Sequence, residues 1–508
     1  MKYLVYSPYS MEANAISTLL DKSLRILENA DNEVVFISCS GECRPCDSNA
    51  ESSKIRCLEC RYSSRLALKY VKNSRLLHKE LNDYIDDKII HKNNNLSFQY
   101  NSAEDVKKIT YERINIGLGV ISSFVSTTRN LNPILESVVD IFISDSLKSA
   151  AMLIDLFNKI IDQESPDKIV IFNGRYNSMR PLFELAKFRG INIEILECTF
   201  SNSHTEQKLV SFQNALPHDI DNNSKIIENN WDNYAGAKNK EEVAKLFFLN
   251  RRNGVVASDK VYIANQIRDK LPQSWDGNKR NFVIFNSSED EFFSVGDAFD
   301  KYKIFESQLE GVKFLCESVI DCDDIHFNLR IHPNLNGLNF KYHTDLMSLN
   351  YKNLTVIPAE SNISTYALID NCEKVFVFGS TAGVEANFWG KPVVLLGGAF
   401  YIHLNVAYYP SDLKELEKLI KNKLESKLIL GALKYALFLY GQRGVEGKYI
   451  SYNYEIFSFF GKAINIPVFF LKKNRTQYLL LSAFFRLINL PSHLIFKKSI
   501  LPKLKKEM

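Results

Sequence analysis

The segment FGSTAGVEANFWGKPVVLLG, residues 378–397, places small polar residues between an apolar strand and a helix. Residues 374–378 and 392–396 have the composition of buried strands, and residues 382–388 have that of a helix. Ser380 and Thr381 are therefore predicted at the amino end of the helix, where unpaired N–H groups and the helix dipole attract anions such as phosphate. The alternative is that one of these hydroxyls is an ordinary helix cap.

Two other apolar runs in the same half of the chain also end in polar residues. NLRIHPN places Arg330 two residues before His332, and VIFNSSEDE ends in Ser287 and Ser288. Parallel strands present their carboxyl ends at one edge of a sheet, so these side chains are expected to meet around a ligand. Together with the carboxylate of Glu385 they suit a nucleotide, although each has a structural explanation when taken alone. The candidate nucleotide-binding residues are Ser287, Ser288, Arg330, His332, Pro333, Gly379, Ser380, Thr381 and Glu385.

The elements that position these residues alternate along most of the chain. In the first half, strand-like segments at 2–8, 33–38, 168–172 and 191–196 alternate with helix-like segments at 11–29, 149–161 and 179–189. A second series starts with NFVIF at residue 281. This alternation predicts an α/β fold in which parallel sheets carry helices on both faces.

The length of the chain predicts more than one domain, because 508 residues exceed what one hydrophobic core supports. Polar, weakly periodic sequence separates the two alternating series. We predict a doubly wound N-terminal domain over residues 1–265, a doubly wound C-terminal domain over 266–462 and a basic tail over 463–508.

RIHPN followed by GSTAGVEANFWGKPVV resembles bacterial capsule and surface-polysaccharide glycosyltransferases of the GT-B fold, over about residues 280–400. These include the Kdo-transferring capsule enzymes and, more distantly, the bacterial sialyltransferases. The resemblance implies two Rossmann-like domains that face a central cleft. It also implies a CMP-activated sugar whose ribose contacts Glu385 and whose phosphodiester contacts His332, Pro333, Ser380 and Thr381. The sialyltransferase motif of two acids and a glycine does not occur in the first domain.

In enzymes of that fold the first domain binds the acceptor and supplies the general base. The candidate residues are Glu12 in SPYSMEANA, Asn173 and Arg175 in FNGRYNSMRP, and Asp145 in FISDS, each predicted in a loop at a strand end. Glu12 could deprotonate an acceptor hydroxyl, and Arg175 could bind an acidic sugar or a phosphate. A helix cap or a surface ion pair would explain each residue equally well. No catalytic metal is required, because His332 and helix N–H groups can stabilise the departing phosphate.

The densest cysteines lie in CSGECRPCDSNAESSKIRCLECR. Cys43, Cys46, Cys57 and Cys60 form two C-x2-C pairs separated by ten residues, which is the spacing of a four-thiolate zinc knuckle. We therefore predict a structural zinc ion. The alternatives are free thiols, or an iron–sulfur cluster on Cys39, Cys43 and Cys46 that would leave Cys57 and Cys60 unused.

The positive charge of the chain is concentrated in the tail. Residues 463–508 contain nine Lys or Arg and one acid, a net charge of +8, so the remainder carries 4 − 8 = −4. This distribution does not indicate a nucleic-acid surface. Basic and bulky apolar residues, with Arg475, Ser482 and Arg486 at helical spacing, predict an anchor that binds anionic membranes. A structural helix docked across both domains is the alternative.

The sequence shows no signal peptide and no apolar run long enough to cross a bilayer. We therefore expect a cytoplasmic protein, peripheral on the inner face of the plasma membrane. The leading hypothesis is a glycosyltransferase that moves Kdo or another CMP-activated acidic sugar onto a bacterial surface polysaccharide or glycolipid. The alternatives are a sugar-nucleotide epimerase of the same fold and a non-catalytic subunit of polysaccharide assembly. Expected partners are a nucleotide-sugar donor, a glycan or lipid-linked acceptor and other assembly proteins, but not nucleic acid.

Overall fold

The structure is a computed structural model that describes residues 1–8, 13–71, 73–200, 207–255, 262–442, 444–459 and 462–471. The chain forms two compact units. Unit 1 comprises residues 1–217 and 444–508, and unit 2 comprises residues 218–443.

The regular elements are numbered here in chain order. The strands are β1 (Lys2–Ser7), β2 (Glu33–Ser38), β3 (Leu76–Glu80), β4 (Thr110–Tyr111), β5 (Ile114–Asn115), β6 (Lys168–Phe172), β7 (Asn192–Phe200), β8 (Gln207–Gln213), β9 (Arg280–Phe285), β10 (Ile325–Arg330), β11 (Leu354–Ile357), β12 (Lys374–Val377), β13 (Val393–Leu395), β14 (Val445–Glu446), β15 (Ile450–Phe459) and β16 (Lys462–Leu471). The α-helices are α1 (Ala13–Ile26), α2 (Lys54–Tyr70), α3 (Asp87–Asn94), α4 (Ala103–Lys107), α5 (Gly117–Thr128), α6 (Ser137–Glu164), α7 (Arg180–Phe188), α8 (Ile220–Asp232), α9 (Lys240–Arg252), α10 (Asp297–Asp300), α11 (Gln308–Glu317), α12 (Lys341–Met347), α13 (Thr365–Asn371), α14 (Ala382–Phe388), α15 (Leu413–Lys421) and α16 (Leu430–Leu437).

Unit 1 is built on a seven-stranded sheet of order β14-β8-β7-β6-β1-β2-β3. The pairs among β7, β6, β1, β2 and β3 are parallel, whereas β8 and β14 add an antiparallel edge. The central strand β1 is apolar on both faces, and Leu4, Val5 and Tyr6 have no exposed surface. Continuous apolar strands of this kind are typical of a parallel sheet covered by helices on both sides.

Unit 2 is built on a five-stranded sheet of order β11-β10-β9-β12-β13 in which every pair is parallel. Phe285 at the end of β9 is in register with Arg330 of β10 and Val377 of β12. The three polar segments that follow these strands therefore begin at one edge of the sheet. The predicted α/β class, with parallel sheets in both halves, is confirmed.

The division between the units differs from the predicted boundary at residue 265. Helices α8 and α9 belong to unit 2, because Ile227, Trp231, Phe247 and Phe248 are buried in its core beside Val377. The apolar faces of both helices are thus covered by the second sheet. The chain also returns to unit 1 at residue 444, ahead of the predicted tail.

The prediction that Asp145 follows a strand is wrong. FISDS lies within the 28-residue helix α6, and Asp145 is on the exposed side of that helix. The buried residues Val139, Ile143 and Leu147 recur every four positions, and Phe142 lies three positions after Val139, which is the helical period. A short apolar run fits a strand as well as a helix, because the helical period is visible only over a longer window.

The predicted tail lies mostly outside the described residues. Its first part, Lys462–Leu471, forms strand β16, which pairs antiparallel with β15. The segment that contains Arg475, Ser482 and Arg486, which is predicted to bind anionic membranes, is outside the described residues, as is Glu12. In the part of the chain that is described, no helix has the length and apolarity needed to span a membrane.

Candidate functional site

The carboxyl edge of the sheet in unit 2 contains a cavity that brings together six of the nine candidate nucleotide-binding residues. These six are Arg330, His332, Pro333, Ser380, Thr381 and Glu385. The cavity is completed by Arg251, Tyr262, Ile263, Gln266, Phe285, Asn286, Thr365, Tyr366 and Ala382. The sequence-based grouping of these strand ends is therefore reproduced in space.

The turn before α14 can be formed only with a glycine at its start. Gly379 has a φ of 91°, and a Cβ atom there would lie 2.5 Å from the carbonyl oxygen of Gly398. After the turn, the Ser380 hydroxyl accepts a hydrogen bond from the backbone N–H of Ala382 at 3.3 Å, and the Ser380 carbonyl accepts one from the Tyr401 hydroxyl at 2.6 Å. The Ser380 hydroxyl thus bonds to the first residue of a seven-residue helix whose N-cap position is Thr381, and Ser380 also lines the cavity.

His332 is held at the cavity by its neighbours. Its backbone N–H donates to Asn286 Oδ1 at 2.7 Å, and its Nδ1 is hydrogen-bonded to Asn334 Oδ1. Asn334 Nδ2 donates to Ser288 Oγ at 2.8 Å, so the amide oxygen of Asn334 faces the ring, and the backbone N–H of Asn334 also donates to Nδ1 at 3.3 Å. Burial, with smaller contributions from two nearby arginines, lowers the pKa of His332. The imidazole is therefore neutral near pH 7.

Ser287 and Ser288 do not line this cavity. Ser288 orients Asn334, and the Ser287 hydroxyl donates to the carbonyl of Phe378 at 3.1 Å. Ser287 instead borders a second cavity of unit 2, together with Glu289. Burial raises the pKa of Glu289 to about 7. The two serines thus position residues next to the cavity, Asn334 and Phe378, and do not line the cavity themselves.

Arg330 is a buried cation at the end of β10. Its guanidinium donates to the carbonyl oxygens of Pro358 and, at 3.0 Å, Ser361, and its Nε–H has no acceptor among the described residues. Burial lowers the pKa of Arg330 to about 10, which still leaves the side chain charged at neutral pH. An anion in the cavity would neutralise the charge of Arg330 and could accept a hydrogen bond from its Nε–H.

Glu385 is neither solvent-exposed nor free to bind a ribose without rearrangement. Its Oε1 accepts from Arg251 Nε at 3.0 Å, and its Oε2 accepts from the Tyr366 hydroxyl. Both side chains of the ion pair are about nine-tenths buried. Burial and the Glu385 charge raise the pKa of Tyr366, so the phenol remains a donor. Sequence pattern did not point to Arg251, because its position falls within residues 1–265, the range predicted to form the other domain.

In unit 1, two of the candidate acceptor-side residues lie in the loop after β6. Asn173 and Gly174 both have positive φ, 62° and 76°, and Asn173 Nδ2 donates to Glu197. Arg175 is 8% exposed, and its guanidinium lies 4.8 Å from the centre of the Tyr176 ring. This loop is thus tightly constrained and carries a buried cation.

Asp47 is a buried acid of unit 1 that the sequence analysis did not single out. Its carboxylate accepts hydrogen bonds from Ser123 Oγ of α5 and, at 2.9 Å, from Ser178 Oγ. Burial raises the pKa of Asp47 to about 6, against the hydrogen bonds from both serines and the charge of Arg175. Only its position between two cysteine pairs could have drawn attention to it.

Residues 259–426 match the sequence model of a family described as capsule polysaccharide biosynthesis protein. This range includes β9–β13 and all nine candidate nucleotide-binding residues. The predicted resemblance to capsule polysaccharide biosynthesis proteins is therefore confirmed for this region. No curated protein matches the chain in a sequence search.

Several solved structures align with the chain at low similarity. A β-Kdo 2,4 transferase, KpsC of Thermosulfurimonas dismutans, is 12% identical, with 60% of this chain and 85% of that chain covered and a TM-score of 0.34. The β-Kdo 2,7 transferase of the same organism is 15% identical, with coverages of 66% and 90% and a TM-score of 0.33. A UDP-GlcNAc 2-epimerase of Methanocaldococcus jannaschii, in complex with UDP-GlcNAc and UDP, is 13% identical, with coverages of 85% and 97% and a TM-score of 0.26.

Proposed function

From the match of residues 259–426 to capsule polysaccharide biosynthesis proteins, we propose that the chain is a glycosyltransferase. It moves a sugar from a nucleotide donor onto a bacterial surface polysaccharide or glycolipid. The nucleotide binds in the cavity at the carboxyl edge of the sheet in unit 2. The observation that supports this proposal is that a buried arginine, a neutral histidine and a hydroxyl-bearing glycine turn line one cavity.

Each group in the cavity suits one part of a sugar nucleotide. Arg330 supplies charge to the phosphate, and the hydroxyls of Ser380 and Thr381 can donate to its oxygens. His332 lines the cavity, and as an imidazolium it can donate a hydrogen bond to a phosphate oxygen and so stabilise the charge that develops as the phosphate leaves. A CMP-activated acidic sugar such as Kdo is our first choice of donor, and its carboxylate would add a second anion for these groups.

The acceptor is assigned to unit 1. Arg175, a buried guanidinium in the loop after β6, would bind an acidic group of the acceptor glycan, and Asn173 fixes the turn that presents it. Glu12, at the end of β1 in sequence, is retained as the proposed general base. Asp145 is not retained, because it lies on the exposed side of α6.

Incubation of the purified protein with CMP-, UDP- and GDP-sugars tests the function directly. Transfer of the sugar to a short acceptor glycan, together with saturable binding of one nucleotide, is expected. Formation of a sugar epimer without an acceptor would favour the alternative, a sugar-nucleotide epimerase. Failure to bind any of the nucleotides would favour a non-catalytic assembly subunit.

Affinity for the sugar nucleotide should depend on pH through His332. Its pKa in the free protein is lowered, whereas a bound phosphodiester favours the imidazolium and raises it. Affinity should therefore increase as the pH falls from the pKa of the complex to that of the free protein, by up to about tenfold per pH unit, and then level off. Calorimetric titration between pH 8 and 5 measures this change, because a sugar phosphodiester does not itself titrate in that range.

Substitution His332→Gln should remove this pH dependence and abolish transfer, with little change in the melting temperature. His403→Gln is the matched control, because His403 is an exposed imidazole of the same unit that bonds to Asp221. A His332→Gln profile that follows the wild-type profile would exclude His332 from the phosphate site.

We also propose that the basic tail binds the inner face of the plasma membrane. The nine basic residues within 463–508 would each contribute about 1 kcal/mol near an anionic surface, and buried Phe and Leu side chains would add to this. Removing residues 472–508, which lie outside the described part, is expected to move the protein from the membrane fraction to the supernatant while transfer to a short acceptor persists. If the truncated protein unfolds, the tail is a structural element instead. If vesicles with and without anionic lipid bind the protein equally well, the basic residues do not contribute to membrane binding.

A further inference from the structure

Five cysteines of unit 1 line one small cavity, and the proposed transfer reaction does not use them. They are Cys39, Cys43, Cys46, Cys57 and Cys60. The last two lie three residues apart in α2, which begins at Lys54, so they share one face of the helix. Within the described residues, no three His, Cys, Asp or Glu side chains are already arranged to hold a metal ion. The loop would therefore have to close around an ion.

Polar groups of unit 1 contact two of the sulfurs that line the cavity. Asn49 Nδ2 donates to Cys57 Sγ at 3.2 Å, and the Tyr6 hydroxyl lies 3.1 Å from Cys43 Sγ. The guanidinium-bearing residues Arg44 and Arg56 also line the cavity and would offset the negative charge of a four-thiolate site. Such a site matches the soft, tetrahedral preference of zinc, and few apolar side chains otherwise stabilise this loop.

The same loop reaches the part of unit 1 that the proposed function assigns to the acceptor. Asp47 follows Cys46 directly and accepts hydrogen bonds from Ser123 and Ser178. Ser123 Oγ in turn accepts from the backbone N–H of Asn177 at 2.8 Å. Asp47 therefore ties the cysteine loop to residues 173–180, called the acceptor segment below.

We propose that a zinc ion bound by Cys43, Cys46, Cys57 and Cys60 closes the cysteine loop and thereby holds Asp47 against the acceptor segment. Asp47 is a positioning residue, since it acts through Ser123 and Ser178. Cys39 lies outside the ligand set, because the two C-x2-C pairs already supply the four thiolates of a tetrahedral zinc site. The part of this proposal that concerns the acceptor rests on the proposed function, whereas the metal site does not.

Elemental analysis of the full-length protein tests the metal site. About one zinc ion per chain is expected, and Cys43→Ser and Cys57→Ser should lose it. Cys39→Ser should retain it, as should Cys322→Ser, the control in unit 2. The proposal is overturned if the wild-type protein contains no zinc or contains iron together with sulfide. The ligand assignment is overturned if Cys39→Ser loses as much zinc as Cys43→Ser and Cys57→Ser do. If the serine variants fail to fold, removal of the metal from the wild type with a chelator and restoration with zinc alone provide the same comparison.

Amide hydrogen exchange tests the link to the acceptor segment without an activity assay. Chelation of zinc, or Asp47→Asn in zinc-loaded protein, should raise exchange at Asn177 by about tenfold, because the charged acceptor of Ser123 and Ser178 is displaced or neutralised. Asp155→Asn is the matched control, since Asp155 bonds Lys92 and Tyr111 elsewhere in unit 1. Exchange in residues 173–180 that is unaffected by both changes would overturn the proposed link.

The same samples separate this proposal from the proposed function. Loss of zinc should leave nucleotide binding by unit 2 intact and raise the KM for the acceptor. If hydrogen exchange changes as expected but no sample binds a nucleotide, the proposed glycosyltransferase function is refuted, whereas the zinc-dependent ordering of the acceptor segment is supported.

Discussion

Replacing Arg330 by methionine is expected to weaken binding of the sugar nucleotide by about thirtyfold or more. The substitution keeps most of the apolar volume but removes the buried guanidinium that borders the cavity. Loss of one partner from a desolvated, hydrogen-bonded charge pair costs about 2 kcal/mol or more, and each 1.4 kcal/mol is tenfold in affinity. Isothermal titration at fixed ionic strength measures the change.

Arg280→Met provides the matched control for this prediction. Arg280 is the first residue of β9, so it lies at the opposite, amino end of the same sheet, where it pairs with Glu373 at 2.7 Å. Its loss should cost some stability and leave affinity unchanged. Arg330→Lys should retain part of the affinity, because the charge remains but the planar fork does not. If Arg330→Met binds the sugar nucleotide with wild-type affinity, the phosphate does not bind beside Arg330.

Replacing Glu385 by alanine is expected to lower the free energy of unfolding of unit 2 by about 3–5 kcal/mol. The change leaves the buried guanidinium of Arg251 without its carboxylate and removes the acceptor of the Tyr366 hydroxyl. Removal of one partner from a buried ion pair is the reason for so large a loss. Substitution of a solvent-exposed glutamate on a helix, in contrast, would change the free energy of unfolding by less than about 0.5 kcal/mol.

Urea denaturation followed by tryptophan fluorescence is well suited to this measurement. The three tryptophans of the chain, Trp231, Trp275 and Trp389, all lie in unit 2, so the signal reports that unit alone. The double variant Arg251→Met with Glu385→Met should recover much of the stability, because apolar pairs of similar volume can replace a buried ion pair. If Glu385→Ala is destabilised no more than a surface variant, the pair is not formed in solution.

The amino-acid sequence by itself predicted the strands of unit 2 whose carboxyl ends border the candidate cavity. The strand at 374–378 and the helix at 382–388 were predicted almost to the residue, because short apolar runs and the small polar residues of a turn are local properties of the chain. The convergence of His332 with Ser380 followed from one further rule, that parallel strands share a carboxyl edge. Helix α6 shows where such local interpretation failed, because a few apolar residues fit either period.

Only the tertiary structure decided which side chains meet across long separations. Arg251 pairs with Glu385, 134 positions later in the chain, and no pattern near either residue indicates the other. The apolar faces of α8 and α9 could have packed on either sheet. Because Phe247 and Phe248 of α9 are buried in unit 2, Arg251 of the same helix lies at the cavity. Likewise, the contact of Asp47 with Ser178 depends on how the cysteine loop folds onto α5. Such pairs depend on the packing of whole elements, which is fixed by the burial of large apolar surfaces and is not encoded in any short stretch of residues.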